Sequence, residues 1–145
     1  MIHQLIHRCS QHSFLKKNVS SVPTGLHPLS SFRSVAILID PSGEDLESAM
    51  DTAGKYFGGL GIEVNFYCSK QDPEDVCTED LLISLIDNTD FFVRFTATCS
   101  RAITKIGRVQ IPGKVFDIVV NGSGDRKSNQ DEALKAIIDL LPKIK

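Results

Sequence analysis

No Cys-x-x-Cys pair occurs in this sequence: Cys9, Cys68, Cys77 and Cys99 stand 59, 9 and 22 residues apart. That spacing excludes a zinc knuckle and a dithiol redox motif. Thiols on or beside apolar strands are commonly buried and inert, so Cys68 and Cys99 are expected to stay free in a reducing, cytoplasmic setting. No apolar run approaches the ~18 residues of a membrane span. None makes the unbroken ~7–15-residue core of a secretion signal. Beyond His27 there is no histidine, so Ser42, Thr98, Cys99 and Ser100 have no imidazole base nearby in sequence. The acids Asp72, Glu74, Asp75, Glu79 and Asp80 lack the D-x-D-x-D-G spacing of a calcium loop and read as a solvated face. No metal and no cofactor is expected.

The first 34 residues also lack acids. Arg8, Lys16, Lys17 and Arg33 give them +4, whereas the rest of the chain has 12 basic and 18 acidic side chains, a net of −6. Four charges over such a length fall well short of the Lys/Arg clusters that mark nucleic-acid patches. Residues 1–33 are therefore read as a basic, partly ordered arm with one short helix around Ile2–Leu15. The alternatives are a transit peptide or an arm for RNA or a membrane surface.

What is present is the pattern of one α/β domain over residues 34–145. The 145-residue length suits a single core. Ser34–Asp40, "SVAILID", is a continuous apolar run, the signature of a strand buried on both faces. Ser42 is placed to cap a helix with Glu44, Asp45 and Glu47 at its start. Leu46, Met50, Ala53, Phe57 and Leu60 form its apolar face, and Gly58, Gly59 and Gly61 end it. A second strand follows at Ile62–Cys68. Thr78 then predicts a helix over Glu79–Asp87, and Phe91–Phe95 a third strand. Thr96–Ala102 is left as a short crossover helix before a fourth strand at Ile103–Arg108. Ile111–Lys114 is a type II turn with Gly113 at its third position. Val115–Val120 is the fifth strand, predicted antiparallel because the link before it is short. Asn129 and Glu132 mark a capping box for a last helix that buries Ala133, Leu134, Ile137, Ile138 and Leu141 and stops at Pro142. The expected fold is a three-layer, Rossmann-like α/β sandwich with strand order 2-1-3-4-5.

Ligands of such sheets lie at the carboxyl ends of the strands, where the order reverses between strands 1 and 3. On the predicted elements this nominates the segment Asp40–Glu44, with Asp40, Ser42 and Gly43 as ligand residues, and the segment Thr96–Arg101, with Thr96, Thr98, Ser100 and Arg101, and it adds Arg108 as a further anion ligand. The first turn is Asp-Pro-Ser-Gly-Glu-Asp, not G-x-G-x-x-G, so a dinucleotide is not expected there. The glycine-rich segment Asn121–Ser128, "NGSGDRKS", follows a strand predicted to be antiparallel. It is accordingly read as a connection, away from the crevice, and not as a phosphate loop.

The stretches "SVAILIDPSGEDLE", "SRAITKIGR" and "FDIVVNG" resemble a family of small bacterial α/β proteins of unassigned activity, over about three quarters of the chain. The resemblance implies the fold and no chemistry. A fainter similarity is to the amino-terminal half of heptosyltransferase-like enzymes, which also place a small-residue helix before a basic "IG" strand. No nucleotide-sugar domain follows here, so glycosyl transfer by this chain alone is not expected.

Three functions compete. The first is a non-catalytic interaction or accessory domain, for which a homodimer is one arrangement. The second is a binder of, or enzyme on, a small anionic metabolite at the edge of strands 1 and 3. The third, an RNA- or ribosome-associated protein using the basic arm, is ranked last, and no membrane partner is expected.

Overall fold

The computed structural model describes residue 20 and residues 22–68, 76–120 and 130–144. The helix expected around Ile2–Leu15, the cap at Asn129 and the "NGSGDRKS" segment lie outside the described residues. The elements are β1 (Ser34–Ile39), α1 (Leu46–Gly59), β2 (Glu63–Cys68), β3 (Leu81–Ser84), α2 (Phe91–Cys99), β4 (Thr104–Gly107), β5 (Ile118–Val119) and α3 (Gln130–Leu140). The strands form one sheet in the order β2-β1-β3-β4-β5. Every pairing is parallel, with Val35 opposite Val64 and Leu81, and Ile106 opposite Ile118.

Alternation along β1 builds two cores. Val35, Ile37 and Ile39 face α1 and α3, packing with Ala53, Phe57, Leu134 and Ile137. Ala36 and Leu38 face α2, packing with Val93 and Ala97. The result is the expected three-layer sandwich. The helix face at Ala133, Leu134, Ile137 and Leu141 is buried as its spacing requires. In α1 the buried stripe is Ala49, Ala53 and Phe57, and Leu60 is 52% exposed. Leu60 belongs to the exit of α1, not to its apolar face. Gly61, at φ +74°, forms that exit. Its N–H bonds the Gly58 carbonyl and the Ile62 N–H bonds that of Phe57, a Schellman closure that needs a left-handed residue.

Three expectations are overturned. First, Glu79–Asp87 is not a helix and Phe91–Phe95 is not a strand. Leu81–Ile86 is buried throughout, so it takes the two-sided burial of a central strand. Val93 and Ala97, four apart, put one helical face on that sheet, and the Phe91 and Phe95 rings meet at 5.7 Å on α2. Tertiary burial overrode the strand preference of the phenylalanines.

Second, β5 is parallel to β4, and only Ile118 and Val119 belong to it. The link over residues 108–117 is long enough to return along the sheet as a compact, non-helical crossover. Gly107 makes room for it, since a Cβ there would come within 2.6 Å of the Phe116 ring. The Gln110 amide receives the N–H groups of Ile111 and Phe116 and donates to the Phe116 carbonyl. The turn at Ile111–Lys114 is present, with Gly113 at φ +93° and the Lys114 N–H bonded to Ile111.

Third, Ser42 does not cap α1. The residue before the helix is Asp45, and its Oδ2 accepts the Asp131 N–H of α3 instead, at 2.9 Å.

Candidate functional site

The carboxyl ends of β1, β3 and β4 open onto a cleft of about 410 Å³. Asp40, Ser42 and Glu44 line it from the β1–α1 loop, and Leu85, Asp87 and Asn88 from the β3–α2 loop. Arg108 and Gln130 complete it.

The β1–α1 loop is a self-bonded turn. Asp40 Oδ1 accepts the Ser42 N–H at 3.0 Å and the Ser42 hydroxyl at 2.7 Å, the short-range closure typical of aspartate in turns. Gln130 then fastens it to α3. Its Oε1 accepts the Asp40 N–H at 2.9 Å and its Nε2 donates to the Asp40 carbonyl at 3.0 Å. Gly43 permits this, because any Cβ at that position would collide with the Gln130 amide. Asp131 secures the next turn by accepting the hydroxyls of Ser48 and Thr52 at 2.7 and 2.8 Å. Burial pushes its pKa up, but the hydrogen bonds from Ser48, Thr52 and Lys135 outweigh that and hold it below the usual carboxylate range.

Arg108 directly follows β4 and is 6% exposed. Its Nη1 donates to the Leu85 carbonyl at a long 3.3 Å. Its Nη2 stands 3.8 Å from Asp87 Oδ2, and its Nε is buried with no partner. A guanidinium carries five donors, and this one uses them poorly. Leaving buried charged donors unmatched is costly.

Of the residues nominated from sequence, Asp40, Ser42, Glu44 and Arg108 line this cleft, and Gly43 shapes it. Thr96, Thr98, Ser100 and Arg101 are at or near the opposite edge, because the segment that holds them is the end of α2 and the chain leading into β4. Thr96 Oγ1 is buried without a partner within α2. The Thr98 carbonyl accepts the Ser20 N–H, and the Arg101 N–H donates to the Cys77 carbonyl. Ser100 Oγ accepts the Ala102 N–H at 3.1 Å. Leu85, Asp87, Asn88 and Gln130 were not nominated. The signal for the β3 group was the unbroken run "LLISLI", which as a strand puts Asp87 and Asn88 at its carboxyl end. The clamp from Gln130 had no signal in sequence.

Other reactive side chains are engaged structurally. Lys105 is 3% exposed and burial lowers its pKa against the pull of Asp117. A buried lysine of that kind is a candidate nucleophile, but its Nζ donates to the Ala97 carbonyl at 2.6 Å in the last turn of α2. It therefore acts as a helix cap. Tyr67 donates to Glu79 Oε1 at 2.5 Å. Burial, with the Glu79 carboxylate beside it, pushes the Cys77 thiol up to about 12, and burial also raises Cys99. Protonated thiols are poor nucleophiles. Among the described residues no group of three or more His, Cys, Asp or Glu side chains is placed to hold a metal ion, and no helix is long and apolar enough to cross a membrane.

No family model matches this chain, and no curated protein or solved structure gives a significant match.

Proposed function

We propose that the chain binds a small anionic ligand in the cleft between the carboxyl ends of β1 and β3, with Arg108 as the anion's main partner. One observation carries this reading: Arg108 is buried at the cleft with its Nε unpartnered and its other contacts long. An anion would replace those contacts with short, charge-assisted bonds, and arginine binds carboxylate or phosphate through two parallel bonds. The position agrees with the general rule for open parallel sheets.

Binding is favoured over turnover. The Ser42 hydroxyl donates to Asp40, and among the described residues no histidine lines the cleft. The test is titration calorimetry with inorganic phosphate and short carboxylates, on the full chain and on Arg108→Gln. The substitution is expected to weaken binding by about tenfold or more, since a hydrogen bond to a charged group is worth about 1.5–3 kcal/mol. Equal affinity in both proteins would remove the cleft as the site and return the accessory-domain reading to first place.

A further inference from the structure

We infer that the ligand of this cleft is amphoteric, carrying one anionic group for Arg108 and an ammonium group for the carboxylates around it. This rests on the reading of the cleft as an anion site and names the class of molecule that fits.

The charges of the cleft are unbalanced. Among the described residues, Asp40, Glu44 and Asp87 set three carboxylates against the single guanidinium of Arg108. A ligand with two or more negative charges would meet these carboxylates within one screening length, which is about 8–10 Å at ordinary ionic strength. Unpaired like charge of this kind rejects a ligand as effectively as a clash does.

The resting pair points the same way. Arg108 Nη2 and Asp87 Oδ2 are held at 3.8 Å, beyond ordinary hydrogen-bond length. An anion that takes the guanidinium leaves Asp87 without its cation. A ligand that also carries an ammonium group supplies the replacement, so one loose pair becomes two tight ones. Asp40 Oδ1 is already engaged by Ser42, which leaves Asp87 and Glu44, both exposed, as the freer acceptors. Among the described residues no aromatic side chain lines the cleft to stack on a base. The candidate ligands are amino acids and amine-bearing phosphates.

The experiment is titration calorimetry on the full chain with two matched sets of probes, with and without magnesium. One set is O-phosphoethanolamine, 2-hydroxyethyl phosphate and ethyl phosphate. The other is β-alanine, 3-hydroxypropionate and propionate. Within each set only the second group changes, from ammonium to hydroxyl to hydrogen, and the two sets separate phosphate from carboxylate as the anion. In at least one set the ammonium member is expected to bind about tenfold tighter than its partners, a difference of about 1.4 kcal/mol. In Asp87→Asn, or in Asp87→Asn/Glu44→Gln, that ratio should fall toward one.

Three results overturn the inference while leaving the anion site standing. These are equal binding of the three members of each set, a ratio unchanged in both variants, and hydroxyl or unsubstituted probes that match the ammonium probe once magnesium is added. If none of the six probes binds, the anion site and the inference fall together.

Discussion

At the amino edge of the sheet, several connections run from backbone to backbone, beside side-chain bonds such as those of Asp80 and Asp117 to the Arg33 and Lys105 N–H groups. The Gly25 N–H meets the Ile103 carbonyl, the Ile103 N–H meets that of Asp80, and the Arg101 N–H meets that of Cys77. Thr104 and His27 fill in behind them, with Thr104 Oγ1 bonded to the Gly25 carbonyl and in contact with His27 Nδ1. At the carboxyl edge the Leu85 and Val120 N–H groups also meet the Leu38 and Gly107 carbonyls, but the loops around the cleft are fastened by side chains, namely Gln130 on Asp40, Asp131 on Ser48 and Thr52, and Arg108 on Leu85. Backbone contacts survive most substitutions. Side-chain contacts are specific to the residue present, and one of them is left incomplete. The difference separates the edge that holds the fold from the edge that offers chemistry.

That contrast can be broken in three ways. The largest effect is expected from Gly107→Ala. The new methyl displaces the Phe116 ring, which should loosen β5 and cost about 1–3 kcal/mol in urea unfolding, the usual range for overpacking. Amide exchange should quicken at Val120, whose N–H bonds the Gly107 carbonyl, and should stay slow at Gly25 and Ile103. Equal loss of protection at both places would mean the edges are not independent.

Next comes a pair of methionine substitutions, one at each edge. Lys105→Met leaves the Ala97 carbonyl without its partner and should cost about 1–3 kcal/mol, the penalty of an orphaned buried acceptor. Arg108→Met removes a poorly matched buried charge and should leave stability unchanged or raise it, as such replacements often do. A greater loss from Arg108→Met than from Lys105→Met would reverse the comparison.

The smallest effect concerns pH. Asp131 has a lowered pKa in the folded state, so between its folded and unfolded values the unfolded chain binds more protons. Its contribution is therefore complete above its unfolded pKa of about 4 and is lost as pH falls through the lower folded value. In Asp131→Asn the acid limb of a stability–pH curve should flatten in that window, with little change in slope above about pH 5. An unaltered limb would show that the Ser48 and Thr52 hydroxyls do not hold α3 through this charge.

Much of the fold was legible because it follows from local pattern. The run "SVAILI" is buried on both sides, the spacing of α1 and α3 gives their packed faces, and Gly61 stops α1 where a left-handed residue is required. The middle of the chain was not legible. "LLISLI" satisfies a short helix and a central strand equally well by hydrophobicity, and "FFVRF" favours a strand by residue type. Only the sheet, which has room for one of them, decides. That exchange carried half of the site with it: Asp87 and Asn88 moved to the carboxyl edge, and Thr96, Thr98, Ser100 and Arg101 moved away. It also bears on "NGSGDRKS". An antiparallel β5 would carry this segment away from the crevice, and β5 is parallel. The chain on either side of the segment, Val120 and Gln130, therefore belongs to the carboxyl edge.

Gly43 and Gln130 are 87 positions apart, yet they occupy one volume. The amide can reach Asp40 only while position 43 has no side chain, and a bare position 43 is useful only while the amide is there to fill it. In a lineage that preserves this cleft, the two residues are inherited as a single character. A drift to alanine at the first removes the reason for glutamine at the second, and the loop that presents Asp40 then becomes free to acquire a different shape and a different ligand.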